Sequence, residues 1–350
     1  MAADSPGASD DSPDRPSDGP PAPPSRRDRS GEADEPPHPA FADYATESLP
    51  AAAVGSPGKD GRLELRFAVD EAGETNLVRD LARAPFHVSG TLGHDPLPEA
   101  ETVYVQSPTG GLAQGDRHAV EIAVGADAVA HVSTQSSQKV LSMERNYAAA
   151  DVSLSVDRNG HLDYVPEPAI LHEDSRFFQA IDLDLATDAS AVVGDVVVPG
   201  RLARGERFDF ERYLSRLQVR RDGELLVDDA THLRPADADP SAAGVMGAFA
   251  VVGTLYVLVP ESESDELDDL SERLHAAATA AAETGAADGD RDDADPDTVR
   301  AGATRLPNDA GVVVRALGHR AETATAALRA AWDEARIGLL GVGAPESRRP

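Results

Sequence analysis

The chain of 350 residues contains no cysteine. That absence excludes disulfides, thiolate metal sites and cysteine nucleophiles, so any cation must be handled by oxygen and imidazole ligands. Aromatic residues make up only 4 % of the sequence, with a single tryptophan, against 41 % apolar residues overall. The core is therefore expected to be built from Val, Leu, Ile and Ala. Positive charge is scarce too. Lys and Arg number 32 against 62 Asp and Glu, a formal net charge of −30, and only Lys59 and Lys139 are lysines. Such a balance suits a high-salt cytosol, where the Debye length falls to about 3 Å near 1 M salt and carboxylate repulsion is screened. It argues against nucleic acid and anionic membrane as partners, because both select basic surfaces. No apolar stretch of the signal-peptide kind follows Arg26 and Arg27. The apolar run at 245–260 is shorter than the about 18–20 residues of a spanning helix, and its valines favour a buried strand or strand pair split at Gly253. The expected compartment is the cytosol.

What is present is unevenly spread. Residues 1–58 are rich in Pro, Ser, Asp and Gly and bury too little apolar surface to offset their ordering entropy, so a disordered tail is expected there. The folded body is expected over 59–342, with an acidic insertion at about 261–300 and a short tail at 343–350. Period-two alternation dominates the body: LELRFAV, TVYVQS, AVEIAV, AVAHVST, VSLSV, HLDYV, FQAIDLDLA, AVVGDVVV, LQVRR and ELLVDD all read as strands. The turns Gly125-Ala126-Asp127, Asp157-Arg158-Asn159-Gly160 and Asp222-Gly223 carry hairpin chemistry. Helical spacing appears only late, at 265–282 and at 321–340, where Leu328, Trp332, Ile337 and Leu339 are the expected core face; GVVVRALG precedes the second as a last strand. The fold class is mainly β, a multi-stranded wedge, sandwich or solenoid-like stack with one or two helices near the C-terminus.

Four segments are too unusual to be plain strand and turn. In SPTGGLAQGDRH (107–118), Gly110, Gly111 and Gly115 free the backbone before Asp116. A phosphate loop would need Gly-Lys-Ser/Thr opening a helix, and here a strand follows. In STQSSQKVLSM (133–143), Gln135 and Lys139 stand among hydroxyls. One of two lysines kept here points to a task that the planar fork of arginine does not fill, or to a plain surface position. In GHLDYVPEPAILHEDSRF (160–177), Asp163, Glu167, His172, Glu173 and Asp174 gather around two prolines. They form a candidate oxygen and nitrogen ligand set for a divalent cation, or a chance cluster in an acidic chain. GRLARGERFDFERY (200–213) adds Gly200, Arg201, Gly205 and Glu206.

Taken in order, TGGLAQGD, STQSSQKVL, LDYVPEPAILHED and GRLARGE resemble the UreD (UreH) family of urease accessory proteins, over roughly residues 62–342. Gln114, Asp163 and Tyr164 depart from the usual Gly, Glu and Trp. The resemblance implies a non-enzymatic β-rich scaffold. It would bind apo-urease (UreABC), recruit UreF and the GTPase UreG into a multi-subunit activation complex, and help nickel into the urease active site along a polar route. It implies no tightly bound cofactor, only transient Ni²⁺, which oxygen and imidazole donors hold weakly enough to pass on. Asp116, Asp163, Glu167, Asp174 and Glu206 are the candidate route-lining or interface groups; Gly110, Gly111, Gln135 and Lys139 fix local structure or the partner surface.

The alternative is a β-sandwich glycosidase using two carboxylates about 5–9.5 Å apart, such as Glu167 and Glu206. Few aromatics are available to stack on sugars, and no G-x-S-x-G, HExxH or Ser/His/Asp signature is present. A β scaffold shaped to be covered by partners exposes strand edges when alone. Expressed alone, the chain is expected to be poorly soluble, the more so in dilute buffer; a monodisperse protein at low salt by light scattering would contradict this.

Overall fold

The computed structural model describes residues 38–49, 57–261, 264–284 and 297–346. The alternating pattern becomes seventeen strands among those residues. In chain order the first are β1 (Asp60–Val69), β2 (Thr75–Arg83), β3 (His87–Leu92), β4 (Glu101–Gln106), β5 (Arg117–Val124) and β6 (Val129–Thr134). Next come β7 (Gln138–Val140), β8 (Ala148–Val156), β9 (His161–Tyr164), β10 (Ala169–Leu171), β11 (Arg176–Leu185) and β12 (Ser190–Val198). The last are β13 (Arg212–Arg221), β14 (Glu224–Leu233), β15 (Val251–Leu258), β16 (Val299–Arg305) and β17 (Gly311–Gly318). Helices are α1 (Ala42–Ala45), α2 (Ser264–Thr284) and α3 (Ala321–Leu340).

Two sheets share these strands. A seven-stranded sheet runs β14-β13-β11-β8-β5-β1-β2, and a ten-stranded sheet runs β16-β17-β15-β12-β9-β6-β4-β3 with β7 and β10 beside it. Between β4 and β13 the chain crosses from one sheet to the other at almost every step. Parallel pairing then joins β5, β8, β11 and β13 in one sheet and β4, β6, β9 and β12 in the other. The body is a solenoid-like stack of coils. Leu65, Ile122, Leu154, Leu183 and Val219 lie in matching register across five strands and are 0–1 % exposed. Ala130, Leu162, Ala191 and Leu258 belong to the same core from the other sheet.

This topology corrects two of the three expected hairpins. Residues 125–127 and 157–160 join strands of different sheets, so they are corners. Positive φ at Asp127 (62°) and Asn159 (56°) still bends the chain, as expected of Asp and Asn. Their polar groups are answered by the corners of neighbouring coils: Asp127 N–H donates to Arg158 O (2.9 Å), Asn159 Nδ2 to Asp127 Oδ1 (3.0 Å) and Asn159 N–H to Asp188 Oδ1 (3.3 Å). Asp222-Gly223 is a true hairpin, between antiparallel β13 and β14.

A second core lies on the outer face of the ten-stranded sheet. Val192, Val196, Leu255 and Val314 meet Leu267, Leu270 and Leu274 of α2 and Ala324, Leu328, Ala331 and Trp332 of α3. β15 runs unbroken through Gly253, where an added Cβ would lie 2.5 Å from Leu328 Cδ1, so that glycine admits the helix rather than splitting a strand pair. The apolar stripe of α3 is centred on Leu328, Trp332 and Ala335, which leaves Ile337 45 % exposed instead of buried as expected. Most of the acidic loop after α2 falls outside the described residues, as do residues 1–37 and 50–56 of the expected disordered tail.

Residues 38–49 correct the reading of that tail. Pro39–Ala45 form a short helical strap on the seven-stranded sheet, and its Phe41 is 0 % exposed against Tyr147, Ala149, Phe178 and Leu214. Tyr44 Oη donates to Glu211 (2.8 Å), and Glu47 accepts from Asn146 N–H (2.6 Å) and from Arg176 (2.9 Å). One fully buried aromatic and these charge-assisted bonds suffice to hold a segment whose composition reads as unstructured. Phe41→Ala is expected to lower the unfolding free energy by about 3 kcal/mol, read as a lower denaturant midpoint in molar KCl; an unchanged midpoint would show that the strap contributes nothing to the fold.

Candidate functional site

Because the coils stack in register, segments far apart in sequence share one side of the molecule. The four unusual segments are the four successive long corners that carry the chain from the ten-stranded sheet to the seven-stranded one. Leu112 bridges Val140, and its N–H donates to Lys139 O (2.8 Å). β7 pairs with β10, and β10 with β12, in parallel. The second, third and fourth corners wall a groove of about 1400 Å³ between the outer face of the ten-stranded sheet and the first turns of α3. Gln135, Lys139, Glu167, His172, Gly200 and Arg201 line it. A smaller cavity of about 70 Å³ lies inside the stack, lined by His118, Gln138, Tyr164, Gln179 and Asp195 among apolar residues. Ser133, Thr134, Pro166, Glu167 and Val196 belong to both linings.

The expected site residues separate into distinct roles. Glu167 stands at the boundary between groove and cavity. Glu206 accepts from Glu173 N–H (2.7 Å) and pairs with Arg201, closing the 200–206 loop. Burial raises its pKa, but the Arg201 guanidinium and the Glu173 N–H outweigh that and hold it below the ordinary glutamate value. A glycosidase acid needs the opposite shift, which argues against Glu206 as the proton donor of such a pair. Asp116 is buried and caps backbone: it accepts from Gly58 N–H (3.0 Å), Lys59 N–H (2.7 Å) and Ala113 N–H (2.9 Å). It lines neither groove nor cavity. Asp174 sits exposed at φ 57° in a turn, its N–H on Asp209 O (3.0 Å). The carboxylates of residues 163–174 are therefore not gathered into one cluster. Among the described residues no group of three or more His, Cys, Asp or Glu side chains is placed to hold a metal ion.

Two glycines are required by close approach. A Cβ at Gly111 (φ +145°) would lie 2.5 Å from Lys139 O, and one at Gly200 (φ +148°) 2.2 Å from Glu206 O. Gly110, Gly115 and Gly205 also take positive φ in these corners. Gln114 uses its side chain to hold the next corner, accepting from Glu144 N–H (3.0 Å).

Asp163 is 0 % exposed and faces α3, not the groove. It accepts from Trp332 Nε1 (2.7 Å) and Arg336 (2.7 Å), and His161 Nε2 lies 3.2 Å away. Arg336, itself 0 % exposed, also grips Asp95 (2.6 Å). Burial opposes the charge on Asp163, but His161, Arg336 and His131 together bring its pKa down to about 2. His131 is pushed down to about 4 by burial, so its imidazole is neutral at pH 7 where it borders the groove beside Trp332. Sequence reasoning missed Arg336, although it recurs at the spacing of Leu328 and Trp332 on the apolar stripe of α3. It also missed Asp195, the one acid in the run AVVGDVVV. Asp195 is enclosed by the sheets yet borders the inner cavity, accepts from Tyr213 Oη (3.1 Å), and has its pKa raised by burial.

A cleft walled by the motif-bearing corners, sharing a wall with a mostly apolar inner cavity that carries a few polar side chains, gives the stack of coils the form of a scaffold. The family model described as UreD urease accessory protein matches residues 59–350. The urease accessory protein UreD of Haloarcula marismortui is 61 % identical over 317 residues, covering 91 % of this chain and 99 % of that protein. The protein of that name from Natronomonas pharaonis is 45 % identical over 310 residues (89 % and 98 %). Urease accessory protein UreD 2 of Brucella suis is 32 % identical over 306 residues (86 % and 94 %). The chain belongs to the UreD family of urease accessory proteins, maturation factors rather than catalytic enzymes. The first two relatives come from halophilic archaea, in keeping with the acidic composition.

The contact between α3 and the ten-stranded sheet is the part of this site most exposed to a single change. Arg336→Ala strands two buried carboxylates and is expected to cost about 3–5 kcal/mol, read by chemical denaturation at pH 7; a loss within the error of the measurement would show that the pair is not essential to the packing of α3.

Proposed function

We propose that the protein is a urease maturation scaffold that binds apo-urease, recruits UreF and the GTPase UreG, and assists nickel insertion along an internal polar route. The observation that carries this reading is the shared wall of the groove and inner cavity at Ser133 and Thr134, at the end of β6, and Glu167 in the third corner, all within the family motifs. An ion leaving the groove at Glu167 would meet Gln138, Gln179, Asp195 and His118 in the cavity lining. These are carboxylate, amide and imidazole donors without a thiolate. Such donors, met one or two at a time, hold Ni²⁺ loosely, which suits transfer rather than storage. His118 is pushed down to about 4 by burial against the opposing pull of Asp116, so it offers a neutral ring at pH 7. Asp195, whose proton is favoured by burial, would exchange it for a dication. No membrane contact is needed, and no helix among the described residues is long and apolar enough to cross one.

The test is co-expression of the tagged chain with UreF, UreG and apo-urease, purified in molar salt. UreF and apo-urease are expected to co-elute with it. Glu167→Gln and Asp195→Asn are expected to leave that complex intact while lowering nickel-dependent urease activation about tenfold or more. Recovery of folded chain with neither partner would refute the scaffold; full activation by both variants would refute the route.

A further inference from the structure

The groove has the charge opposite to that of the molecule. Lys139, Arg201, Arg204, Arg320 and Arg329 line it against two carboxylates, Glu167 and Glu322, in a chain of net charge −30. Arg201 is neutralised by Glu206, and Arg320 reaches Asp297 (2.9 Å). Lys139 and Arg204 are exposed, and neither has a carboxylate within ion-pair distance among the described residues. Their field is felt locally. The His172 imidazole is pushed below its ordinary value by burial first, then by Arg201, with Lys139 and Arg204 adding to it.

We propose that this groove is the docking site for an acidic, extended peptide segment of a partner protein. Its carboxylates would lie against Lys139 and Arg204 on one wall and against Arg320 and Arg329 on the other, flanking at least one apolar side chain. The proposal names the chemistry of a contact within the scaffold reading and rests on that reading for the partner's existence.

Three further observations support that occupant. The floor between the charged walls is apolar, with Leu92, Val196, Leu255 and Leu328. Its volume of about 1400 Å³ exceeds the roughly 300–1,000 Å³ of small-molecule sites and matches an extended peptide better. His131, 3 % exposed, borders the groove with Nδ1 unpartnered among the described residues, and Thr325 Oγ1 on α3 is likewise unpaired. The chain's own C-terminus is a poor occupant. Pro345 already borders the groove, its carbonyl held by Arg329, and the sequence beyond the described residues carries Arg348 and Arg349, of the same charge as the groove walls. Long-range attraction is screened within about 3 Å in molar salt, so recognition depends on contact pairs inside the groove, for which arginine forks are suited.

The test is a titration of the full chain, in molar KCl, with a short fluorescein-labelled peptide of alternating Glu, Asp and Leu, read by anisotropy. Saturable binding is expected, about tenfold weaker or more for the Gln/Asn counterpart and for the Lys139→Glu/Arg204→Glu double variant with unchanged circular dichroism. Failure of the wild-type chain to bind, or equal binding by the double variant, would overturn the proposal. A gain in affinity on deleting residues 1–37 would also overturn it, by naming the chain's own acidic tail as the occupant. Co-purification separates this from the scaffold reading. If the double variant retains apo-urease and the accessory proteins in full, the groove proposal falls and the scaffold stands. If the wild-type chain retains none of them, the scaffold falls and the peptide titration alone decides the groove.

Discussion

Parallel pairing in register is the constraint on which the rest of this protein depends. When Leu65, Ile122, Leu154, Leu183 and Val219 are stacked on one another, each coil must return to the same phase before the next begins. A corner on one side can then be as short as four residues, because its backbone groups are answered by the corner above and below. Any surplus length has to appear on the other side. That is where the four motif segments lie. One of their glycines, Gly111, is demanded by contact between successive corners, against Lys139 O, and their polar residues are brought side by side without being near in sequence. The site is a consequence of the stacking.

The groove needs a second wall, and α3 supplies it. Helix and sheet are joined by apolar packing and by Arg336 between Asp163 and Asp95. A buried guanidinium with two carboxylates is a poor source of stability, since desolvation offsets much of the attraction. It is a strict source of register. A one-residue rotation of α3 would swing Arg336 away from both acids and Trp332 away from Asp163, and each unpaired group would cost several kcal/mol. The same rotation would carry Arg320 and Arg329 out of the groove. The position of the basic wall is thus tied to an ion pair that does not touch it.

How much of this was legible follows from which physics acts locally. The long strands, β17 and both helices α2 and α3 were readable because period two and period 3.6 are properties of the segment itself. β2, β3 and β16 escaped because as edge strands they are mostly exposed or half-buried and give little apolar alternation, and β7 and β10 because three residues carry no period. The turns at 125–127 and 157–160 were readable as turns but not as corners. Asn-Gly and Gly-Ala-Asp specify a positive φ, and the choice between hairpin and corner is made by which strands find partners. The motif residues were recognisable, and Glu167, Arg201, Gln135 and Lys139 do meet at the groove. Asp116 and Asp163 were conspicuous for another reason: burying a carboxylate requires a fixed set of donors, which makes a structural acid look as deliberate as a functional one. Strap residue Phe41 was invisible because a single aromatic in a proline-rich segment has no periodicity to announce it.

The acidic surface and the basic groove answer two different demands. At molar salt the net charge of −30 is screened beyond a few ångströms, so it governs solubility and hydration rather than the approach of a partner. Discrimination must then come from contact, where a charge is partly shielded from solvent by the walls around it. A groove lined by Lys139 and Arg204 without ion-pair carboxylates among the described residues is costly in an isolated chain only to the extent that like charges lie close together and away from solvent, and both side chains are exposed. The basic groove is also the place where the family motifs converge and the inner cavity adjoins. Those coincidences arise from one source, because the corners that carry the charges are the corners that the stacking of coils forces outward.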